Sequence, residues 1–181
     1  MALPSRDMSA RERVAGGLSA AAGVGLCAAT GLALAHVSVP PQVSVAPPLR
    51  FLGRALVGLG TCGILGSQLA MREAWRVGVD RAACVPLIRH GPYRLVRNPI
   101  YTAMVVFMAG NALLLANGVM VVALTLLIAG VELQVRGVEE PFLLDRHGHD
   151  YVRWAEKTGR FAPLLGRCGA RRRGHRQRIG G

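Results

Sequence analysis

A short polar segment contains two tight turns and several side chains that could bind a charged ligand. Residues 90–93 (HGPY) predict the first turn, because glycine lacks a Cβ atom and proline fixes φ. Asn98-Pro99 predicts a second break in the chain. Between the two turns lie Arg94 and Arg97, whose guanidinium groups suit an anionic or polar ligand. A basic loop that only sets membrane topology is the alternative, although arginines alone do not account for two rigid turns.

Two adjacent carboxylates, Glu139 and Glu140, form a second candidate cluster later in the chain. Pro141 follows them directly, and proline clashes with a preceding helical turn but is accepted in the first turn of a new helix. We therefore expect the pair at a joint between two helices. There the like charges repel each other, and a cation, either Arg97 or a bound ligand, would stabilise them. A solvated acidic cap on the second helix explains the pair equally well.

Two further pairs of ionisable residues lie in the same region. Glu132 is within an apolar segment, where an ionisable residue is a functional candidate, and Arg136 one turn later is its expected partner. His147 and His149 are two residues apart, a spacing that does not place both on one helical face. We therefore expect solvated histidines and no metal site.

These clusters belong to a chain whose composition is typical of membrane proteins. Of its 181 residues, 51% are apolar and 18% are charged, and the mean hydropathy is +0.34. So much apolar surface excludes a disordered chain. The four cysteines are scattered without a CxxC pair, so we expect free thiols rather than a disulfide scaffold. Charged residues are absent from three runs, 14–39, 55–71 and 98–131.

The third charge-free run is too long for a single membrane-spanning helix. Its 34 residues would form a helix about 51 Å long, whereas the hydrocarbon core of a bilayer is ~30 Å thick. Asn117-Gly118, near the middle of the run, is a strong turn pair. We therefore predict a hairpin of two helices, Ile100 to Ala116 and Val119 to Val135.

Four helices place nearly all of the basic residues on one side of the membrane. The chain has 22 Lys and Arg residues against 10 Asp and Glu, a net charge of +12. The positive-inside rule then places both termini in the cytoplasm. We expect the protein in the inner cell membrane, with the bilayer and not nucleic acid as its surroundings. A signal peptide cleaved near residues 33–35 (ALA) is the alternative for the first apolar run.

The predicted fold is all-α: a polytopic integral membrane protein with about four transmembrane helices and a C-terminal amphipathic surface helix. That surface helix is expected from Phe142 to Trp154, with an interruption at Gly148. Residues 58–63 (GLGTCG) match the dinucleotide-binding fingerprint, but they lie inside a charge-free run without the strand that this motif requires. We interpret these glycines as positions where two membrane helices approach closely.

Three segments resemble one known family. HGPYRLVRNPIY at 90–101, EEPFLLDRHGHDYVRW at 139–154 and GRFAP at 159–163 are similar to segments of the isoprenylcysteine carboxyl methyltransferase and phospholipid methyltransferase family. The resemblance implies a small integral membrane enzyme that uses S-adenosylmethionine. The domains expected from it are two N-terminal transmembrane helices (1–71), a methyltransferase-like region with a transmembrane hairpin and a cytoplasmic cofactor site (72–163), and a basic disordered tail (164–181).

The resemblance also implies which residues form the site. The family's paired glutamates are implicated in holding the cofactor, and its Arg-His-Pro motif is met here by Arg-Asn-Pro. Asn98 stands in place of a histidine and cannot titrate, so a proton-transfer role is not implied at that position. Arg97 and Glu140 are the implied catalytic residues. The implied cofactor-binding residues are His90, Gly91, Pro92, Tyr93, Arg97, Asn98, Pro99, Tyr101, Glu139 and Glu140.

The function implied is S-adenosylmethionine-dependent methylation of a lipidic or membrane-soluble acceptor at the cytoplasmic face. The acceptor would be an isoprenylcysteine-type carboxylate or a lipid head group. Sterol reductases look similar in their C-terminal halves, which leaves an NADPH-dependent membrane reductase as an alternative. A non-catalytic membrane protein, whose basic loops set topology, is another. The glycine-rich first two helices also permit a homodimer.

Overall fold

The part of the chain that the structure describes is almost entirely helical. The computed structural model describes residues 5–35, 37, 44–71, 87–163 and 165–166. Within them an isolated parallel bridge pairs Val96 with Gly159, and there is no strand, so the all-α prediction is confirmed. Residues 72–86 and nearly all of the predicted tail, 164–181, lie outside the described residues. The α-helices are α1 (Ser5–Leu34), α2 (Pro47–Met71), α3 (Pro99–Leu115), α4 (Gly118–Gln134) and α5 (Glu140–Lys157).

The predicted helical hairpin is confirmed to within one residue at each boundary, as α3 and α4. The chain reverses differently from the predicted Asn-Gly turn. Ala116 is the residue in the left-handed conformation, with φ of 43°. Asn117 caps α4, because its Oδ1 accepts a hydrogen bond from the Met120 backbone amide at 3.0 Å. The turn pair therefore acts as a helix start that follows the reversal.

Three of the described helical segments are long and apolar enough to cross a membrane. They are Ala10–Ala33, Pro47–Met71 and the helix that begins at Gly118. α3 is equally apolar but has only 17 residues, and at 1.5 Å per residue it is about 25 Å long. The described residues thus contain three helices long enough to span a membrane and one shorter apolar helix, α3. The predicted number of four spans is reached only if α3 also crosses the membrane.

The helices pack in pairs, α2 against α3 and α1 against α4, through small residues. A Cβ atom at Gly60 would lie 2.6 Å from the Phe107 backbone nitrogen, so the two helix backbones are in direct contact there. Gly60 belongs to the GLGTCG segment, which lies in the middle of α2. The interpretation as helix-packing positions is therefore confirmed for Gly60 and for Gly63, whose Cβ atom would lie 2.9 Å from that of Ala103, but not for Gly58, where a Cβ atom would meet nothing within 4 Å. In the other pair, Ala15, Ala22 and Ala29 are buried along one face of α1.

This packing predicts that alanine is tolerated differently at two neighbouring glycines of α2. Gly60→Ala should lower the stability by about 1–3 kcal/mol, because the added methyl group would overpack the contact with Phe107. Gly58→Ala is the matched control, since a Cβ atom there meets nothing within 4 Å. Thermal unfolding of both variants in detergent measures the difference. Equal melting temperatures would contradict the close approach of α2 and α3.

The joint predicted at the glutamate pair is a single wide turn between α4 and α5. Residues Val135–Glu139 form a π-helical turn, in which the Glu140 backbone amide donates to the Val135 carbonyl. Pro141 explains the widening, because in a regular α-helix its ring would clash with the carbonyl four residues earlier. The expected pairing of Glu132 with Arg136 on this helix is also confirmed.

α5 is broken at Gly148, as predicted. Gly148 has φ of 49° and ψ of −121°, so the residues on either side form two short helical pieces. Tyr151 and Ala155 on the second piece are buried, whereas Leu144 on the first is exposed. The break lets the end of α5 return toward its own beginning, and the contacts described next depend on this return.

Candidate active site

The two polar clusters that the sequence singles out lie next to each other in the structure. The Tyr101 hydroxyl donates a hydrogen bond to Oε1 of Glu139 at 2.5 Å. The Arg97 guanidinium lies 3.2 Å from the Glu140 carboxylate, measured from Nη1 to Oε1. Arg97 and Tyr101 flank the start of α3, while the glutamates lie where α4 meets α5. The helical hairpin therefore brings together residues that are far apart in the sequence. Of the two cations considered for the glutamate pair, Arg97 is present beside Glu140, but it does not form an ion pair with Glu139 among the described side chains.

Glu139 is surrounded by neutral hydrogen-bonding groups. Besides the Tyr101 hydroxyl, the side chain of Gln134 hydrogen-bonds to the Glu139 carboxylate. Tyr93 lies near enough for the charge of Glu139 to raise its pKa. Among the side chains that the structure describes, no Arg, Lys or His forms an ion pair with this carboxylate. Because a partly buried carboxylate is stabilised by a cation, Glu139 is well placed to bind a positively charged group of a ligand.

Tyr93 contributes a neutral phenol to this site. It lies in a short 3₁₀-helix, Gly91–Arg94, and is buried. Burial, together with the nearby charge of Glu139, raises the pKa of Tyr93 to about 12. At physiological pH this phenol is therefore protonated, so it can donate a hydrogen bond but does not act as a base.

Glu140 has a different environment, with two arginines around its carboxylate. Arg160 binds it in a bidentate manner, with Nε 2.7 Å from Oε1 and Nη2 2.8 Å from Oε2. Arg97 shares Oε1. The side chains of Glu140 and Arg160 are each only 17% exposed. Charge-assisted bonds with this parallel geometry are among the strongest in proteins, so Glu140 is firmly held within the protein.

Arg97 is at the centre of the charged cluster and is only 4% exposed. Its Nη1 donates to the Tyr151 hydroxyl at 3.1 Å, and its Nη2 donates to the Gly166 carbonyl at 2.7 Å. The guanidinium carbon also lies 5.9 Å from the centre of the Tyr151 ring, a cation–π distance. The side chain predicted as catalytic thus connects α5 and the residues beyond it to the start of α3.

The residues after α5 pack along the segment that precedes α3. We call residues 158–163 and 165–166 the return segment. The Arg97 amide donates to the Gly159 carbonyl at 2.8 Å, and the Asn98 amide donates to the Arg160 carbonyl at 3.2 Å. The Thr102 hydroxyl donates to the Phe161 carbonyl at 2.8 Å. These bonds attach the return segment to the first turn of α3, beside the site.

The other predicted site residues occupy the edge of this arrangement. His90 and Gly91 are exposed at the start of the 3₁₀-helix, and Pro92 is partly buried. The Asn98 side chain donates to the Arg160 carbonyl at 3.2 Å, which gives it a structural contact with the return segment. Pro99 is buried as the first residue of α3.

The sequence profile of the phospholipid methyltransferase family matches residues 49–150, which is more than half of the chain. The chain belongs to the phospholipid methyltransferase family. This assignment agrees with the resemblance inferred from the motifs, and it names a methyltransferase where a reductase was the alternative. The match to the phospholipid methyltransferase family begins within α2 and ends near the break in α5, so it includes both glutamates and both site tyrosines.

Curated relatives point in the same direction. A probable protein-S-isoprenylcysteine O-methyltransferase from Oryza sativa subsp. indica is 33% identical over 79 residues, which cover 44% of this chain and 41% of that protein. Protein-S-isoprenylcysteine O-methyltransferase A from Arabidopsis thaliana is 32% identical over 79 residues, which cover 44% and 40%. The matched region thus spans about two fifths of the length of these relatives.

Two residues of the candidate site, Arg160 and Tyr151, were not predicted from the sequence of this phospholipid methyltransferase family member. Both residues follow the region that the family profile matches, and both contact Arg97 or Glu140. A signal was present in the GRFAP segment, which belongs to the resemblance and includes Arg160. Its role was not predicted, because nothing in the local sequence indicates that α5 reverses direction at Gly148.

Proposed function

We propose that the protein is an S-adenosylmethionine-dependent methyltransferase of the membrane that methylates a lipidic or membrane-soluble acceptor. The observation that carries this proposal is the charge arrangement at the site. Glu139 offers a carboxylate to a cation, and beside it Arg97, Arg160 and Glu140 together carry one net positive charge. A ligand with neighbouring positive and negative groups complements this arrangement.

The residues present fit the proposed methyl donor. Its amino-acid end carries an ammonium group, which Glu139 would bind, with the Tyr101 phenol fixing the carboxylate through its hydrogen bond. Its carboxylate would lie toward the positive cluster and the exposed backbone at Gly91, which lies in the same 3₁₀-helix as Tyr93. When bound, this cofactor supplies an electrophilic methyl group on a sulfonium. Family membership supports the same assignment.

The chain's own residues would act mainly by binding and orientation. Methyl transfer needs the acceptor atom in line with the methyl group, and fixing two reactants in such a geometry accounts for a large part of the catalysis. The protonated Tyr93 is not a base, and Arg97 is engaged in contacts with Glu140, Tyr151 and Gly166. We therefore favour an acceptor that is already anionic or is a soft nucleophile over an amine that must first lose a proton.

The membrane setting and the relatives support a lipidic acceptor. Apolar helices extend from the site, and the relatives that match are named for isoprenylcysteine O-methylation. The charge asymmetry of the loops supports a site on the cytoplasmic face, with both termini on the same side. The same reasoning assigns residues 1–71 to anchoring and residues 72–163 to the methyltransferase region.

The proposal is tested by titrating the purified protein in detergent with S-adenosylhomocysteine and, separately, with NADPH. We expect calorimetric binding of the first and none of the second. A parallel assay with S-adenosylmethionine labelled on its methyl group should transfer label into extracted lipids or prenylated peptides. Binding of NADPH without binding of S-adenosylhomocysteine would favour a reductase. Binding of neither compound would contradict both the methyltransferase and the reductase.

A further inference from the structure

Arg160 makes a contact that a straight α5 would forbid. It binds Glu140, the first residue of α5, although it follows the last residue of that helix. A straight α5 would separate Glu140 from its last residue, Lys157, by about 26 Å, and the three residues that lead on to Arg160 can span only about 10 Å. The break at Gly148 therefore brings Arg160 to Glu140, and their ion pair joins a residue that follows α5 to the first residue of that helix.

The two adjacent glutamates consequently have different tasks. Both oxygens of Glu140 are occupied, by Arg160 in a bidentate pair and by Arg97. Glu139 contacts only neutral groups and forms no ion pair among the described side chains. Glu140 thus holds parts of the protein together, whereas the adjacent Glu139 has no cationic partner among the described side chains.

We propose that Arg160 is a positioning residue, which acts through Glu140 and Arg97 to hold the return segment against the start of α3 and so maintains the methyl-donor site. This inference rests on the proposed function, because the site it maintains is the one assigned there to the methyl donor. Arg160 lies outside the region that the family profile matches.

Loss of Arg160 would act on the site in two ways. The cluster would change from one net positive charge to none, which weakens its attraction for a carboxylate. The return segment would also lose the side-chain contact between its own Arg160 and α5. The backbone bonds to Arg97 and Asn98, the bond from the Asn98 side chain to the residue-160 carbonyl and the contacts at Thr102 and Gly166 would remain. We expect the segment to open more often and Arg97 to shift toward Glu140.

The experiment compares Arg160→Ala, Arg160→Lys and Arg153→Ala as purified full-length proteins in detergent. Arg153 is the matched control, because it is an exposed arginine of α5 whose ion-pair partner among the described residues is the nearby Asp150. Three quantities are measured: the Kd for S-adenosylhomocysteine, the KM and kcat for S-adenosylmethionine, and hydrogen–deuterium exchange at the amides of residues 96–98 and of the return segment.

We expect Arg160→Ala to raise the Kd and the KM about tenfold, the effect of losing a hydrogen-bonded charge partner, with a smaller change in kcat. Arg160→Lys keeps the charge but not the bidentate geometry, so it should recover part of the loss. Exchange at residues 96–98 should accelerate in Arg160→Ala and stay unchanged in Arg153→Ala.

Two results would overturn the inference without affecting the proposed function. If the wild type binds S-adenosylhomocysteine and Arg160→Ala binds it equally well, Arg160 does not position the site, while the proposed function stands. If Arg160→Ala lowers only the amount of folded protein, with unchanged KM and unchanged exchange, the residue serves stability alone. A wild type that binds no S-adenosylhomocysteine would instead contradict the proposed function itself, and the inference with it.

Discussion

Replacing Glu139 with glutamine should weaken S-adenosylhomocysteine binding by about a hundredfold or more and reduce methyl transfer to the same extent. Glu139→Gln keeps the size of the side chain but removes its negative charge, which is the feature proposed to bind the ammonium group. A hydrogen bond to a charged group is worth about 1.5–3 kcal/mol, and the ion-pair attraction is lost in addition. Calorimetry and a labelled-methyl assay measure both effects.

The control for this prediction is Glu132→Gln, on the same helix as the π-helical turn. Glu132 pairs with Arg136 and is partly exposed, so its neutralisation should leave the affinity unchanged. If Glu132→Gln and Glu139→Gln weaken binding equally, the effect is a general loss of negative charge. Unchanged binding in Glu139→Gln would exclude this residue from the site.

A valine at position 148 should abolish methyl transfer and S-adenosylhomocysteine binding almost completely. The φ of 49° and ψ of −121° at Gly148 are accessible to glycine but not to β-branched residues. Gly148→Val would therefore straighten or redirect α5 and separate Arg160 from Glu140. The expected loss exceeds that of Arg160→Ala, because the contacts of Tyr151 and of the return segment with Arg97 are lost together.

The matched control is His149→Val, which places the same side chain on the adjacent exposed residue. Valine is a slightly weaker helix former than many residues, and we expect a change of less than threefold in affinity. Hydrogen–deuterium exchange reports the opening directly, since the amides of residues 97 and 98 are bonded to the return segment. A Gly148→Val protein with wild-type affinity would show that the break is not needed for the site.

The sequence predicted the hairpin well because the signal is local and strong. A charge-free run that is too long for one span, interrupted by Asn117-Gly118, leaves few alternatives, and α3 and α4 agree with the predicted limits within one residue. The start of α2 was less predictable. The charge-free run begins at residue 55, but α2 begins at Pro47 and includes Arg50 and Arg54, because long arginine side chains can extend to the membrane interface.

The candidate site was predicted only in part, since half of it depends on long-range geometry. The meeting of Arg97 with the glutamate pair followed from the hairpin and from the need of Glu139 and Glu140 for a cation. The contact of Arg160 with Glu140 could not be predicted in this way. A glycine at position 148 indicates an interruption of the helix, but it does not indicate the direction of the chain that follows. Likewise, residue type and spacing do not distinguish Glu139 from Glu140, and the family resemblance implied a catalytic role for Glu140 alone, whereas their different hydrogen-bond partners point to Glu139 as the carboxylate without a cation.

The wide turn at Val135–Glu139 determines how α5 is rotated about the helix axis relative to α4. Each residue of an α-helix advances the chain by about 100°, so removing one residue from this turn would rotate both carboxylates to another side of the helix while leaving the amphipathic order of α5 intact. The residue that the π-helical turn adds therefore rotates the polar α5 relative to the apolar α4. Chains related to this one can be compared by the number of residues between the apolar helix and the glutamate pair, a count that fixes whether the two halves of the site face each other.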